Sequence, residues 1–343
     1  MIVEFFHQPP AFWDAFIMKH TQGRLYHLSA WNEMIRNTFG HTVKYMVVRE
    51  GGEILTALPI THFHSRLFGV FGVSLPFVNY GGPVSVENTG WPSGLETHLQ
   101  TLRGTWQLEF IEIRLDRQIE TSLPQKQHKV TFLLDLPDDP ENLFKSFKAK
   151  LRSQIRRPLK EDMYARTGGM DLLEDFYRVF AINMRDLGTP VYPKSFFRNI
   201  LAVFPDNAHI VVVYSREGKP VAGSFLITFK GIIEIPWASS LRKYNRYSPN
   251  MLLYWESMKL GIEKGCRQFD FGRCTPGVGT YRFKKQWGAR EVPLFWYYVL
   301  PEAQSLPEMS PENSRFDLAI KVWRHLPIQI TNIIGPLIIR HIP

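Results

Sequence analysis

The sequence predicts a mixed α/β (α+β) fold in which one mostly antiparallel, helix-flanked sheet domain occurs twice. Three observations predict it. The chain has 343 residues, about twice a typical domain. A hairpin pattern recurs in the two halves, and the same flanking elements surround each copy. A hydrophobic fraction of 44% with 14% aromatics is enough to fill two cores.

The hairpins come first. Lys44 to Phe63 reads KYMVVREGGEILTALPITHF, and Ile210 to Phe229 reads IVVVYSREGKPVAGSFLITF. Aligning Glu50-Gly51 with Glu217-Gly218 brings Ile54 onto Val221, Ile60 onto Ile227 and Thr61 onto Thr228. Each copy is a β-rich run, a Glu-Gly turn and a second β-rich run. Upstream lie WNEMIRNTFG in one half and SFFRNILAVFP in the other, short amphipathic helices ended by Gly or Pro. Before each is a further helix, near Ala11 to His20 and near Leu172 to Asp186.

In the second half a third strand follows, Gly231 to Ala238. Next comes a helix with Ser248 as N-cap, Pro249 at its first position and Gly265 past its end. Then come a strand at Arg267 to Phe271, a Pro/Gly loop, a short helix from Tyr281 to Trp287 and a last strand at Val292 to Leu300. Two helices, a three-strand meander, a helix, a strand, a helix and a strand is the order of a GNAT-type acyltransferase. Present twice, it predicts tandem GNAT-like domains at 1–137 and 138–300, divided near Leu136 to Pro140. Residues 301–343 form a Ser/Pro/Glu-rich linker and an apolar helical tail from about Arg315. The tail is expected to dock on the N-terminal domain. The alternative has it lying on the inner membrane, with Lys321, Arg324, Arg340 and His341 meeting anionic lipids.

The formal charge of +9 favours an anionic partner. Two cysteines, Cys266 and Cys274, make neither a disulfide framework nor a four-ligand zinc site. MIVEFFHQPPAFWDAF has no basic n-region followed by an apolar run. No stretch holds the roughly eighteen apolar residues of a spanning helix. The expectation is a reduced, cytoplasmic protein, at most peripheral to the inner membrane, with no DNA partner.

Three segments can carry chemistry. From Pro140 to Arg157 the sequence reads as one helix capped by Asp139, with Lys145, Lys148, Arg152 and Arg156 on one face. These side chains hold ligand phosphates or form a solvated face. The turn before Ser248 reads LRKYNRYSPN and lacks the glycine-rich loop with which acetyl-CoA enzymes reach a pyrophosphate. Its Arg242, Lys243 and Arg246 can bind anions through side chains instead.

The third segment is RQFDFGRCTPGVGTYRFKKQWG. Phe269 and Phe271 point one way on a strand and Asp270 the other. Arg273 can pair with Asp270 or a ligand anion, and Lys284 sits beside Phe283 and Trp287. A fixed lysine ammonium stabilises the oxyanion of an acyl transfer. The bland alternative is a strand, a turn and an amphipathic helix with surface lysines. Tyr192, Trp237, Ser239, Trp255 and Tyr281 are pocket candidates that core packing would also explain. Cys274 reads as a small buried thiol, and His62 with His64 lacks a third metal ligand, so no metal is expected.

FDFGR and TYRFKKQWG, preceded by PWASS and SPNMLLYWESMKLGIEKG, resemble the FemAB family of aminoacyl-type transferases. With LPFVNYGG, MRDLGTPVYPKSFF and WRHLPIQITNIIGPLIIR, the chain is most similar to the FemAB-related proteins of bacterial exosortase (XrtA/PEP-CTERM) exopolysaccharide systems. The resemblance implies acyl or aminoacyl transfer to an amine of a cell-envelope or exopolysaccharide precursor. No cofactor would be tightly bound, and the co-substrate would be aminoacyl-tRNA or acyl-CoA. The family's Phe-Lys pair falls on Phe283 and Lys284, with the lysine stabilising the tetrahedral intermediate. Asp270 is a candidate base, while Arg273, Tyr281, Trp237, Ser239, Tyr192, Lys148, Arg152 and Arg156 would bind substrate. The chain lacks the long helical hairpin of peptidoglycan-bridge enzymes, and Cys274 stands where relatives carry Ser. Two alternatives are a CoA-dependent N-acyltransferase and a non-catalytic scaffold of a polysaccharide system. The first predicts acyl-CoA binding, the second a closed pocket beside Lys284.

Overall fold

A computed structural model describes the chain except residues 66–67, 87–90, 93, 303 and 308–316. Contacts divide it into two units, Met1–Lys129 with Pro293–Asn313 and Arg340–Pro343, and Val130–Val292 with Ser314–Ile339.

Unit 1 begins with β1 (Ile2–Phe6), α1 (Trp13–Lys19) and α2 (Ser29–Phe39). The predicted hairpin follows as β2 (Thr42–Glu50) and β3 (Glu53–Ser65). Its turn needs two residues with positive φ, and Gly51 and Gly52 supply them at 57° and 89°. Next come β4 (Gly69–Val73), the short β5 (Val84–Ser85), α3 (Leu95–Thr105) and β6 (Ile111–Leu115). Alternation along β2 gives the sheet two apolar faces. Met46 and Val48 pack with Leu95, Leu99 and Leu102 of α3, while Tyr45 and Val47 pack with Trp13 and Ile17 of α1.

β7 (Gln125–Asp135) starts in unit 1 and ends in unit 2. Unit 2 continues with α4 (Pro140–Ser146), α5 (Ala149–Arg156), β8 (Tyr164–Gly168), α6 (Leu173–Leu187) and α7 (Lys194–Val203). The second hairpin is β9 (Ala208–Tyr214) and β10 (Pro220–Phe229), followed by β11 (Ile232–Ser240). α8 (Pro249–Glu263), β12 (Gln268–Asp270), α9 (Gly279–Lys285) and β13 (Arg290–Val299) complete the predicted order. α10 (Asp317–His325) and α11 (Ile328–Ile339) follow.

The two units share one strand plan. Unit 1 runs β1-β2-β3-β4-β6-β13 and unit 2 runs β8-β9-β10-β11-β12-β7. Each sheet is antiparallel except for one parallel step at the same place, β4 to β6 and β11 to β12. The closing strands are exchanged. β13, from the second half of the sequence, pairs with β6, and β7, from the end of the first, pairs with β12. The sequence-based division near Leu136 to Pro140 therefore differs from the contact-based one. The crossing lies inside a β-strand, where no linker composition marks it.

Three local expectations are corrected. The basic segment is two helices, not one, broken at Phe147–Lys148. Arg152 Nη1 holds the break by donating to the carbonyls of Lys145 (3.1 Å) and Phe147 (3.0 Å), the last, otherwise unpaired acceptors of a helix end. Asp139 does cap α4, accepting from Glu141 N at 3.1 Å, but Ser248 makes no side-chain cap on α8 because its backbone is left-handed, with φ 60°. The tail, finally, does not dock on unit 1. α10 and α11 pack on α6 of unit 2, with Ile320 against Gly188 and Gly335 against Val191. Only the end returns to unit 1, where Arg340 Nη2 donates to Phe39 O (2.7 Å) and His41 Nε2 donates to Arg340 O (2.8 Å). No helix among the described residues is long and apolar enough to cross a membrane.

Candidate active site

In unit 2, β11 and β12 pair in parallel only from Ile232 to Glu234 and from Gln268 to Asp270. β11 then runs on to Ser240, while the other chain turns at Gly272, whose φ of 68° a side chain would resist. That chain rejoins β7 through an antiparallel bridge between Cys274 and Val130. β11 also carries a bulge. Phe225 and Ile227 of β10 face Trp237 and Glu234, so β11 spends one more residue over the same span. Pro236 sits in that bulge, a place where a strand tolerates proline. The result is a sheet that parts between β11 and the strand leaving β12.

The predicted catalytic residues gather where the strands part. Phe269 and Phe271 pack on Tyr254 of α8, with centroids 6.4 and 5.7 Å from its ring. Asp270 points the other way, as alternation requires. It is 1% exposed, and its Oδ1 accepts from Thr131 Oγ1 (2.6 Å) and Gly272 N (2.8 Å). In parallel pairing Glu234 lies beside it and is also buried.

Lys284 is the buried residue of α9, 6% exposed. Phe283 and Trp287 flank it and pack edge-on, Phe283 lying 4.8 Å from the ring of Tyr254. Lys284 Nζ donates to Gly272 O (2.6 Å) and Arg273 O (3.0 Å). An ammonium has three N–H donors, so one remains for a ligand. Burial pulls its pKa down from 10.5 to about 8, against the opposing pull of Cys274, Asp270 and Glu234. Lys284 is therefore mainly charged at pH 7. It is an electrophilic donor in a low-dielectric setting, which is what an oxyanion requires.

Between pH 8 and 10.5 the unfolded chain binds a proton at this lysine that the native chain does not. Stability supplied at this position therefore rises with pH through that window and is lowest below pH 8. In urea unfolding, wild type should gain on Lys284→Met by on the order of 3 kcal/mol across the window. A difference independent of pH would show that the lysine titrates normally.

The other predicted residues divide. Arg273 is half-buried and lends its carbonyl to Lys284. Tyr281 stands edge-on to Phe132 at 5.2 Å and donates to Glu291 Oε2 at 2.6 Å. Trp237 and Tyr192 lie in an aromatic cluster with Phe196, Phe197 and Phe225. Ser239 is buried and accepts from Asn183 Nδ2 at 3.1 Å. Arg156 stacks 4.9 Å over Phe144, so with Arg152 it braces the α4–α5 break. Lys148 opens instead on a cavity of about 470 Å³ with Lys150, Gln154 and Lys285, floored by Leu134, Phe147 and Trp287. Three lysines and no carboxylate line it.

Thr131 and Glu234 escaped the sequence reading. Glu234 had a signal, as the one acid in the apolar run GIIEIPWA. Thr131 had none, because β7 joins this sheet only through the strand exchange. Cys274 and Cys266 are both buried, and neither is in a disulfide. The turn before α8 is a 3₁₀ helix, Arg242–Tyr247, in which Arg242 Nη2 donates to Asp186 O at 2.8 Å. Lys243 and Arg246 stack there over Tyr244 and Tyr247. Among the described residues no group of three or more His, Cys, Asp or Glu is placed to hold a metal.

Residues 145–285, which include Glu234, Asp270 and Lys284, match the acetyltransferase (GNAT) domain family. No curated protein matches the chain. Solved structures share its fold at low identity. FemX superposes with a TM-score of 0.65 at 16% identity, covering 86% of this chain and 97% of FemX. The C-terminal domain of a putative lysylphosphatidylglycerol synthetase from Agrobacterium fabrum gives 0.55 at 13%, covering 84% and 91%. A tandem GNAT protein from the clavulanic acid biosynthesis pathway gives 0.52 at 11%, covering 88% and 100%.

Proposed function

We propose that this protein is an acyl or aminoacyl transferase that forms an amide on an amine of a cell-envelope or exopolysaccharide precursor, working at the cytoplasmic side. The observation that carries the reading is the buried Lys284 ammonium, fixed on two backbone carbonyls at the parting of β11 and β12. The acceptor amine attacks the donor's carbonyl carbon, and charge develops on the carbonyl oxygen. The third N–H of Lys284 meets that oxygen, and collapse of the intermediate expels the donor's alcohol or thiol, which leaves with the proton that the attacking amine gives up. Asp270 acts as a positioning residue. Through Gly272 N it fixes the turn whose carbonyls hold the lysine.

Both donor classes carry phosphates, and the cavity of Lys148, Lys150 and Lys285 suits them. Aminoacyl-tRNA is the preferred donor. The turn before α8 has no glycine, and its Arg242 is engaged with a backbone carbonyl. The GNAT domain match favours acyl-CoA as the second reading.

A binding and transfer assay with aminoacyl-tRNA and acyl-CoA in parallel separates them. Expected is saturable transfer from one donor, with its KM raised at least about tenfold in Lys148→Glu/Lys150→Glu by loss of phosphate contacts. Neither binding nor transfer with either donor would leave the non-catalytic scaffold standing.

A further inference from the structure

The last two helices present an apolar face that the fold leaves outside. α11 turns Thr331, Gly335 and Ile339 inward, and Gly335 meets Val191. On its other side Ile330, Ile333, Ile334 and Leu337, spaced by three and four, are 39%, 70%, 39% and 60% exposed. The helix thus buries Thr331, Gly335 and Ile339 and leaves four of its large apolar residues exposed. On α10, Leu318 and Val322 lie one turn apart at 74% and 53% exposure. Lys321 and His325 are exposed on the same helix, as is Arg324, whose Nη2 also donates to Leu187 O at 3.2 Å.

We propose that this face rests on a lipid bilayer bearing anionic headgroups. α11 has 12 residues, so it is roughly 18 Å long. That is too short for the ~30 Å hydrocarbon core but suited to lying in the plane of the interface. α10 opens on Asp317, and from Leu318 to Pro343 there is no further acidic side chain, so the segment carries more positive side chains than negative ones. A second copy docking through the same patch would bring two basic segments together. Lipid phosphates offer those cations their complement. The proposal does not depend on which group the enzyme transfers.

The test is flotation of the full chain with vesicles of phosphatidylglycerol and phosphatidylcholine, against phosphatidylcholine alone. The protein should partition at least tenfold more onto the anionic vesicles. Ile333→Ser/Leu337→Ser should cut that at least tenfold without lowering Tm, because both side chains are exposed. Lys321→Glu/Arg324→Glu should remove the preference for anionic lipid. Equal flotation of wild type and the apolar variant, or no flotation at all, overturns the proposal. So does a concentration-dependent dimer abolished by Ile333→Ser/Leu337→Ser, which would identify a second copy as the occupant.

Discussion

Lys284→Ala should lower kcat for amide formation by about 10² to 10³, the usual cost of removing one preorganised oxyanion donor, and leave KM nearly unchanged. The split follows from geometry. Nζ lies inside the protein on the carbonyls of Gly272 and Arg273, away from the lysine-lined cavity, so it meets the oxygen only as charge builds on it. Lys284→Arg should not restore the rate, since a planar guanidinium cannot occupy a point-charge seat between two carbonyls. Steady-state transfer with the cognate donor gives both constants, and a Tm scan checks that the variant is folded. A wild-type kcat in the alanine variant would make the lysine a structural brace of the Gly272 turn and move the reaction centre elsewhere.

The largest stability effect is expected in unit 1. Glu112 and Arg114 are 0% and 1% exposed, and Arg114 Nε donates to Glu112 Oε1 at 2.7 Å. Tyr298 Oη donates to Glu112 Oε2 at 2.7 Å, Arg114 Nη1 donates to Val78 O at 3.2 Å, and its guanidinium lies 4.5 Å from the ring of Trp296. Burial first, and the neighbouring carboxylate second, hold the Tyr298 phenol far above its ordinary range, so it stays a donor. Glu112→Ala strands a buried guanidinium and should cost about 3–5 kcal/mol in urea unfolding. Glu112→Ala/Arg114→Met should recover most of that loss by removing both charges. A loss under about 1 kcal/mol in the single variant would mean that water reaches the pair.

Much of this was legible in the sequence, for identifiable reasons. Hairpins announce themselves locally, so the Glu-Gly turns and their flanking runs fixed the duplication. Alternation placed Asp270 opposite Phe269 and Phe271, and a resemblance to the Phe-Lys pair of the FemAB proteins drew attention to Lys284. What stayed hidden depends on long-range pairing. The spacing of Lys148, Arg152 and Arg156 is that of one helix face, and only the break at Phe147 turns the arginines into braces and leaves Lys148 to the cavity. Trp237 looked like a pocket residue because aromatic character does not reveal how many rings surround it. Thr131 reaches Asp270 only because β7 crosses to the other sheet.

That crossing has a consequence during synthesis. The sheet of the first half is complete only when β13 pairs with β6, so its last strand leaves the ribosome after nearly everything else. Until then β6, whose five residues are all buried in the finished protein, is an open edge of the kind that recruits foreign strands. The second half has the opposite schedule, since its closing strand is made before the rest of its sheet. Cutting the gene between the repeats would therefore yield two fragments, each holding the strand that the other needs.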